Sequence, residues 1–378
     1  MLLFVAGIAA AILFAFALFQ LTIWLTRHAT VPCVGPVRFP MGSLGEWDDL
    51  LALNRAILGA NAPIVAQWTF WKPSVAIVHG PSLARVFRAS TSRALTPALL
   101  QTVGMWHIKK FFGEGSVGVT EGTQWSTTRK AIGRSLKPTY VRKLFGKITA
   151  CAAEAAAVLR ARAQDGAPVD VAPLFHALAL DIVCEAVFCE RVGALAACGA
   201  GQPDPVVEAF RFAEDEMVRR TSSMNPLDWC YWGWLGRAGI SAAQKRLDGA
   251  TALIRARVKR VIARRLERGI AAKDDDLLRH LLGVDGAADP EAVIDNVVTM
   301  MWAGHDTSAA SLSFATYLLA THAEVQSDLR AELDALAAAS DDGELTADAV
   351  RSAPLLQAVV FETLRLHPPT LWTNRGPS

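Results

Sequence analysis

Ala303-Gly304-His305-Asp306-Thr307-Ser308 places a glycine, a carboxylate and two hydroxyls in one short run of a segment otherwise patterned as a helix. Gly304 costs a helix about 1 kcal/mol against alanine. Asp306, Thr307 and Ser308 compete for backbone hydrogen bonds, which can open a helix locally and leave room for a small ligand or water. The plainer alternative is a helix crossing that needs a small residue. A second group, Glu362-Thr363-Leu364-Arg365, lies downstream. Glu362 falls on the stripe Leu355, Val359, Glu362 and Leu366, which predicts a core-facing carboxylate, and a buried charge needs a partner. Arg365, three residues on, can give it a forked, charge-assisted bond. Taken alone, the same spacing also suits a surface ion pair.

Helices must position both groups. Asp289-Pro290-Glu291 reads as an N-cap, a proline at the first helical position and an acid favoured by the helix dipole. Apolar residues then recur at Val293, Ile294, Val297, Val298, Met301 and Trp302, and again at Leu312, Phe314, Ala315, Leu318 and Leu319, predicting a long, largely buried helix. Ser352 and Pro354 begin another, which Pro368-Pro369 end. A charged amphipathic helix is expected between them over Glu324 to Leu336, and Ala-rich amphipathic runs occupy Ile148 to Ala163 and Leu247 to Arg268. Loops are expected at Gly199 to Pro205, Gly283 to Asp289 and Ser340 to Gly343, where Gly, Pro and Asp cluster.

In combination these runs closely resemble the cytochrome P-450 family of haem-thiolate monooxygenases. There Ala-Gly-x-Asp-Thr-Ser marks the oxygen-binding helix, and Glu-Thr-Leu-Arg-Leu-His-Pro-Pro, here Glu362 to Pro369, the helix behind the haem. Trp125-Ser126-Thr127-Thr128-Arg129 is similar to the family's tryptophan and arginine at the haem propionates. Asp276 to Leu282 resembles the segment before the oxygen helix. Trp71 to Ala89 resembles its first β-hairpin and following helix, with Lys72-Pro73 ahead of a strand at Val75 to Val78. The resemblance covers almost everything from Pro32 to Pro377.

The resemblance implies a mainly α fold with small β-sheets, the cytochrome P-450 fold with its C-terminal part missing. It implies haem as cofactor in the complete parent, with O2, a lipophilic small-molecule substrate and an electron-donor reductase as partners. By residue it implies proton relay by Thr307 and Asp306, space for O2 at Ala303 and Gly304, propionate contacts from Trp125, Arg129 and Arg375, and support of the cysteine loop by Glu362 and Arg365. His305 is not a haem ligand on this pattern, and His107 and His367 read as structural. The family's Phe-x-x-Gly-x-Arg-x-Cys-x-Gly loop is not in this sequence: Cys33, Cys151, Cys184, Cys189, Cys198 and Cys230 all precede the oxygen helix. The chain is therefore expected to be incomplete and, as it stands, inactive. The alternative is a non-catalytic membrane-tethered binding protein or pseudoenzyme with the same fold.

Met1 to Leu25 carries no charged side chain, and about 20 apolar residues suffice to span a bilayer. It lacks the basic start and short apolar core of a secretory signal, so a retained anchor is expected. Arg27 and Arg38 follow it, which predicts a single-pass membrane protein with a cytosolic body, at the endoplasmic reticulum. The expected organisation is a transmembrane anchor over 1–26, a proline/glycine hinge over 27–45 and a partial haem domain over 46–378. The hydrophobic share of 52% allows a sizeable core. Cysteines without regular spacing read as free thiols, not disulfides or a zinc site, and no metal-ligating protein residues are expected. A net charge of +2 is too small to imply a nucleic-acid partner. Arg255, Arg257, Lys259, Arg260, Arg264, Arg265 and Arg268 crowd one helix and read by default as a solvated face, with a binding patch as the alternative. Lys130, Arg134, Lys137, Arg142 and Lys143 follow the Trp125 to Arg129 motif, on the side where the resemblance implies that an acidic electron donor docks; an ordinary solvated surface is the alternative. Trp229, Tyr231, Trp232 and Trp234 suit a membrane interface or simple packing.

Overall fold

A computed structural model describes residues 64–69, 72–77, 106–164, 166, 168–202, 204–222, 238, 241–269, 276–282, 289–340, 343 and 345–370. The anchor and hinge over 1–45, the Trp229 to Trp234 cluster and Arg375 lie outside these residues. No helix among the described residues is long and apolar enough to cross a membrane.

The chain divides into two compact units. One comprises 1–104, 218–238 and 374–378. It contains a hairpin of β1 (Ile64–Thr69) and β2 (Lys72–Ile77), antiparallel with Ile64 opposite Ile77 and Thr69 opposite Lys72. Lys72 and Pro73 are thus inside the second strand and not ahead of it, and the hairpin begins before Trp71. Pro73 is the second residue of that strand, beside the turn, where proline is better tolerated than in a strand's middle.

The other unit, 105–217 and 239–373, is helical. Its helices are α1 (Trp106–Phe112), α2 (Gly122–Ser135), α3 (Pro138–Lys143), α4 (Phe145–Ala163), α5 (Ala172–Phe188), α6 (Ala194–Gly199), α7 (Pro205–Ser222), α8 (Ala242–Glu267), α9 (Leu277–Leu282), α10 (Pro290–Thr321), α11 (Ala323–Ala338), α12 (Ala347–Ser352) and α13 (Pro354–Leu366). The last turn of α7 falls in the first unit.

α10 starts where its sequence says it should: the Asp289 side chain accepts from Glu291 N at 3.1 Å, with Pro290 at the first position. Its first half enters the main core beside α5, where Val293, Val297, Val298 and Met301 meet Leu180, Cys184, Phe210 and Ile254. The second half does not continue that burial. Leu312 and Phe314 are each 39% exposed, whereas Ala315, Leu318 and Leu319 are half-buried, so the apolar stripe predicted to be buried is only partly covered.

The loop after α1 is fastened to the start of α10. Gly115 N donates to Asp295 Oδ2 at 2.9 Å, Val117 N to Asn296 Oδ1 at 2.7 Å, and Asn296 Nδ2 to Gly115 O at 2.9 Å. Ser116 Oγ and Thr299 Oγ1 are 2.7 Å apart. Gly113 takes φ +89°, and a Cβ there would lie 1.9 Å from Asp295 Oδ1.

Much of the basic face of α8 is solvated, with Lys259, Arg260, Arg264 and Arg268 exposed, and acids from neighbouring elements meet it. Arg255 bonds Asp295 at 2.7 Å and Glu291 at 2.8 Å, Lys259 reaches Glu291 at 2.7 Å, and Arg264 and Arg268 share Glu190 at 2.6 and 3.1 Å. Arg265 and Asp276, whose side chains are 11% and 1% exposed, pair at 2.8 Å. These bonds tie α8 to Glu190 after α5, to Asp276 before α9 and to the first turns of α10.

Candidate functional site

Ala303, Gly304, Asp306 and Thr307 lie together on α10, which runs through them without a break. The hydroxyl that could have opened the helix is satisfied within it: Thr307 Oγ1 donates to Ala303 O at 2.7 Å, and Ser311 Oγ to Thr307 O at 2.9 Å. Gly304 sits where α10 crosses α5. A Cβ there would lie 2.5 Å from Val183 Cγ2, so glycine allows the close approach. Asp306 and Thr307 are half-buried. Burial raises the Asp306 carboxyl above its ordinary range, His176 partly offsets this, and Asp215 adds to it.

His305, between these residues, is buried at 1% exposure. Its Nδ1 lies 2.9 Å from Met301 O, and its ring packs against Phe210 and His176 at centroid distances of 5.0 and 5.7 Å. Nε2 stands 3.2 Å from Glu214 Oε1 of α7. The separation would suit an ion pair, yet burial leaves both groups uncharged at neutral pH. It lowers His305 to about 4 and, helped by the charges of Asp306 and Asp215, raises Glu214 to about 9. Burial also lowers His176. Sequence reasoning did not single out His176 or Glu214. The one available signal was an acid among the apolar positions Phe210, Ala213 and Met217 of α7.

Glu362 and Arg365 pair through a fork, Arg365 Nε to Oε2 at 2.7 Å and Nη2 to Oε1 at 2.6 Å. The pair is not core-facing: the side chains are 53% and 67% exposed. α13 instead turns Thr363 inward, with Ala353 buried just before its start, packs on α10 and α11, and has its first N–H groups capped by Glu332, which accepts from Leu355 N and Leu356 N at 2.9 and 3.0 Å. His367 stacks on Phe314 at 4.2 Å. On α2, Trp125 is half-buried and Arg129 exposed.

Haem fits the described residues incompletely, because none of their cysteines is suited to be a thiolate ligand. Cys151 and Cys184 are fully buried in helix packing, and burial pushes both thiols up. Cys189 is also raised by burial, with its Sγ turned to Asp276 at 3.7 Å. Cys198 Sγ lies 3.7 Å from Arg162 at the end of α6. An iron-binding thiolate needs a lowered pKa, the opposite of what burial does at Cys151, Cys184 and Cys189.

The family model for Cytochrome P450 matches residues 45–375. The chain belongs to the cytochrome P450 family. Curated relatives include Protein LUTEIN DEFICIENT 5, chloroplastic, of Arabidopsis thaliana, 27% identical over 315 residues, covering 80% of this chain and 50% of that protein. Carotene epsilon-monooxygenase, chloroplastic, of the same plant is 25% identical, over 69% of this chain and 49% of its own length. Cyclooctat-9-en-7-ol 5-monooxygenase of Streptomyces melanosporofaciens is 26% identical, over 74% and 57%. The P450 chain thus spans about half the length of these relatives. The mostly helical body seen here is the P450 fold.

Proposed function

We propose that this chain supplies the oxygen-side half of a haem-thiolate monooxygenase that oxidises a lipophilic small molecule with O2 and electrons from a reductase. The observation that carries the reading is the run Ala303 to Ser308 on a long helix inside the family match. The names of two relatives, acting on carotene and on cyclooctat-9-en-7-ol, support an apolar substrate. In a whole protein haem would supply the oxidising chemistry, and a cysteine from a loop that is not among these 378 residues would hold it. The chain's own share is to exclude water around α10 and to hold protons at Asp306 and Thr307, with Trp125, Arg129 and Arg375 toward the propionates and Glu362/Arg365 behind the loop. Residues 1–26 anchor the protein in the endoplasmic reticulum membrane, with the body on the cytosolic side.

The test is the carbon monoxide spectrum of the reduced protein. The 378-residue chain, expressed with haem supplied, is expected to show no red-shifted thiolate Soret band. The same chain continued through a Phe-x-x-Gly-x-Arg-x-Cys-x-Gly loop is expected to show it. A band from the 378 residues alone overturns the missing-ligand argument. No band from the continued protein overturns the enzyme reading in favour of a non-catalytic binding protein.

A further inference from the structure

We propose that His176, Glu214 and His305 form a site for one late first-row divalent metal ion, of the Zn2+ and Co2+ type, that joins α5, α7 and α10. The site lies outside the residues that the resemblance assigns to haem and does not depend on the monooxygenase reading.

His305 Nδ1 faces the Met301 carbonyl oxygen at 2.9 Å, and a carbonyl can only accept, so the ring proton is on Nδ1 and Nε2 carries a lone pair. That lone pair lies 3.2 Å from Glu214 Oε1, yet Oε1 is buried without a hydrogen-bond partner. In the metal-free protein the proton of the neutral Glu214 carboxyl can occupy this gap, and a divalent ion would displace it and draw on both lone pairs. At metal–ligand lengths of about 2.0–2.2 Å, two ligands of a tetrahedral ion stand about 3.4 Å apart, so the observed gap is of ligand-to-ligand size.

A third donor completes the set. His176 Nδ1 is buried without a hydrogen-bond partner, and one ligand atom from each of the three residues lies within 4.8 Å of the others. Closing the widest gap to bonding geometry takes a movement of roughly an ångström, within reach of a side-chain rotation. Two imidazoles and one carboxylate suit zinc and its neighbours, whereas Mg2+ and Ca2+ prefer oxygen alone. The Met301 carbonyl performs the orienting task that an outer hydrogen-bond acceptor performs at such sites, fixing the tautomer and the ring. Asp306, half-buried and next in sequence to His305, adds a second negative charge to balance the ion.

The test uses the full, untagged chain, stripped with a chelator and titrated with Co2+. One equivalent is expected to give a visible d–d band, displaced by Zn2+, and to raise Tm. Glu214→Gln and His176→Gln are each expected to weaken Co2+ binding by about 100-fold or more, since loss of an outer-shell partner alone typically costs 10–100-fold. His322→Gln, at the exposed end of α10, should leave the affinity unchanged. Circular dichroism on the same samples verifies folding, and if a variant does not fold, the wild-type band and its stoichiometry decide. No band from the wild type, a stoichiometry above one, or a band retained in folded Glu214 and His176 variants overturns the proposal.

Discussion

Asp181→Ala is expected to destabilise the protein by about 3–5 kcal/mol, among the largest losses available to a single substitution here. The carboxylate is 2% exposed and its two oxygens serve as the N-terminal cap of a helix other than their own. Oδ1 accepts from Val192 N at 3.1 Å, Gly193 N at 2.9 Å and Ala194 N at 3.1 Å, and Oδ2 from Leu195 N at 2.9 Å. α6 begins at Ala194 behind Gly193, at φ +80° and without a side chain to cap it. Its first amides have Asp181 as their acceptor, so alanine would bury several unpaired donors at once. Asp181→Asn keeps one oxygen but turns an amide group toward donors, and about half the loss is expected. Urea denaturation at constant m-value measures both. A loss under about 1 kcal/mol for the alanine variant would show that water or another acceptor replaces the carboxylate.

Gly113→Ala should cost about 3 kcal/mol, against about 1 kcal/mol for Gly122→Ala. Both glycines have positive φ, +89° and +60°, so both substitutions carry backbone strain. They differ in what a Cβ would meet. At Gly122 nothing lies within 4 Å, whereas at Gly113 the Asp295 carboxylate lies within 1.9–2.2 Å. Asp295 would have to move, giving up its bond to Gly115 N at 2.9 Å and its pair with Arg255 at 2.7 Å. Parallel thermal or urea unfolding of the two variants separates strain from packing. Equal losses would remove the Asp295 contact from the account.

What could be read from the sequence was chiefly what is local. Asp289-Pro290-Glu291 names the start of α10 because capping and the fixed φ of proline act within a few residues, and Pro354 does the same for α13. The Ala-rich runs appear as α4 and α8 with boundaries shifted by a few residues. Glu362 was misplaced for a different reason. α13 is apolar nearly all round, with Val360 and Phe361 exposed at 42% and 66%, so periodicity alone could not select the stripe that meets α10. The loop at Gly113 to Thr120 has no periodic pattern at all, and its order comes from Asp295, Asn296 and Thr299, far away in sequence. The His176, Glu214 and His305 cluster was illegible for the same reason: each residue alone resembles an ordinary polar side chain on a buried helix, and only the packing of α5, α7 and α10 brings them together. Gly304 shows the reverse case, a residue noticed for its chemistry whose observed neighbour is the Val183 side chain at a helix crossing.

The uneven burial of α10 has a consequence in the time domain. Amides from Val293 to His305 lie in the core and can exchange their hydrogens with solvent only when much of the molecule opens. Those around Leu312 to Tyr317 are on an exposed face, where fraying of the helix end suffices. Exchange half-lives would therefore shorten progressively along one unbroken helix. The slow end is buried beside α5 and clasped by the loop at Gly113 to Thr120, and the Ala303 to Ser308 run stands at the transition between the two regimes.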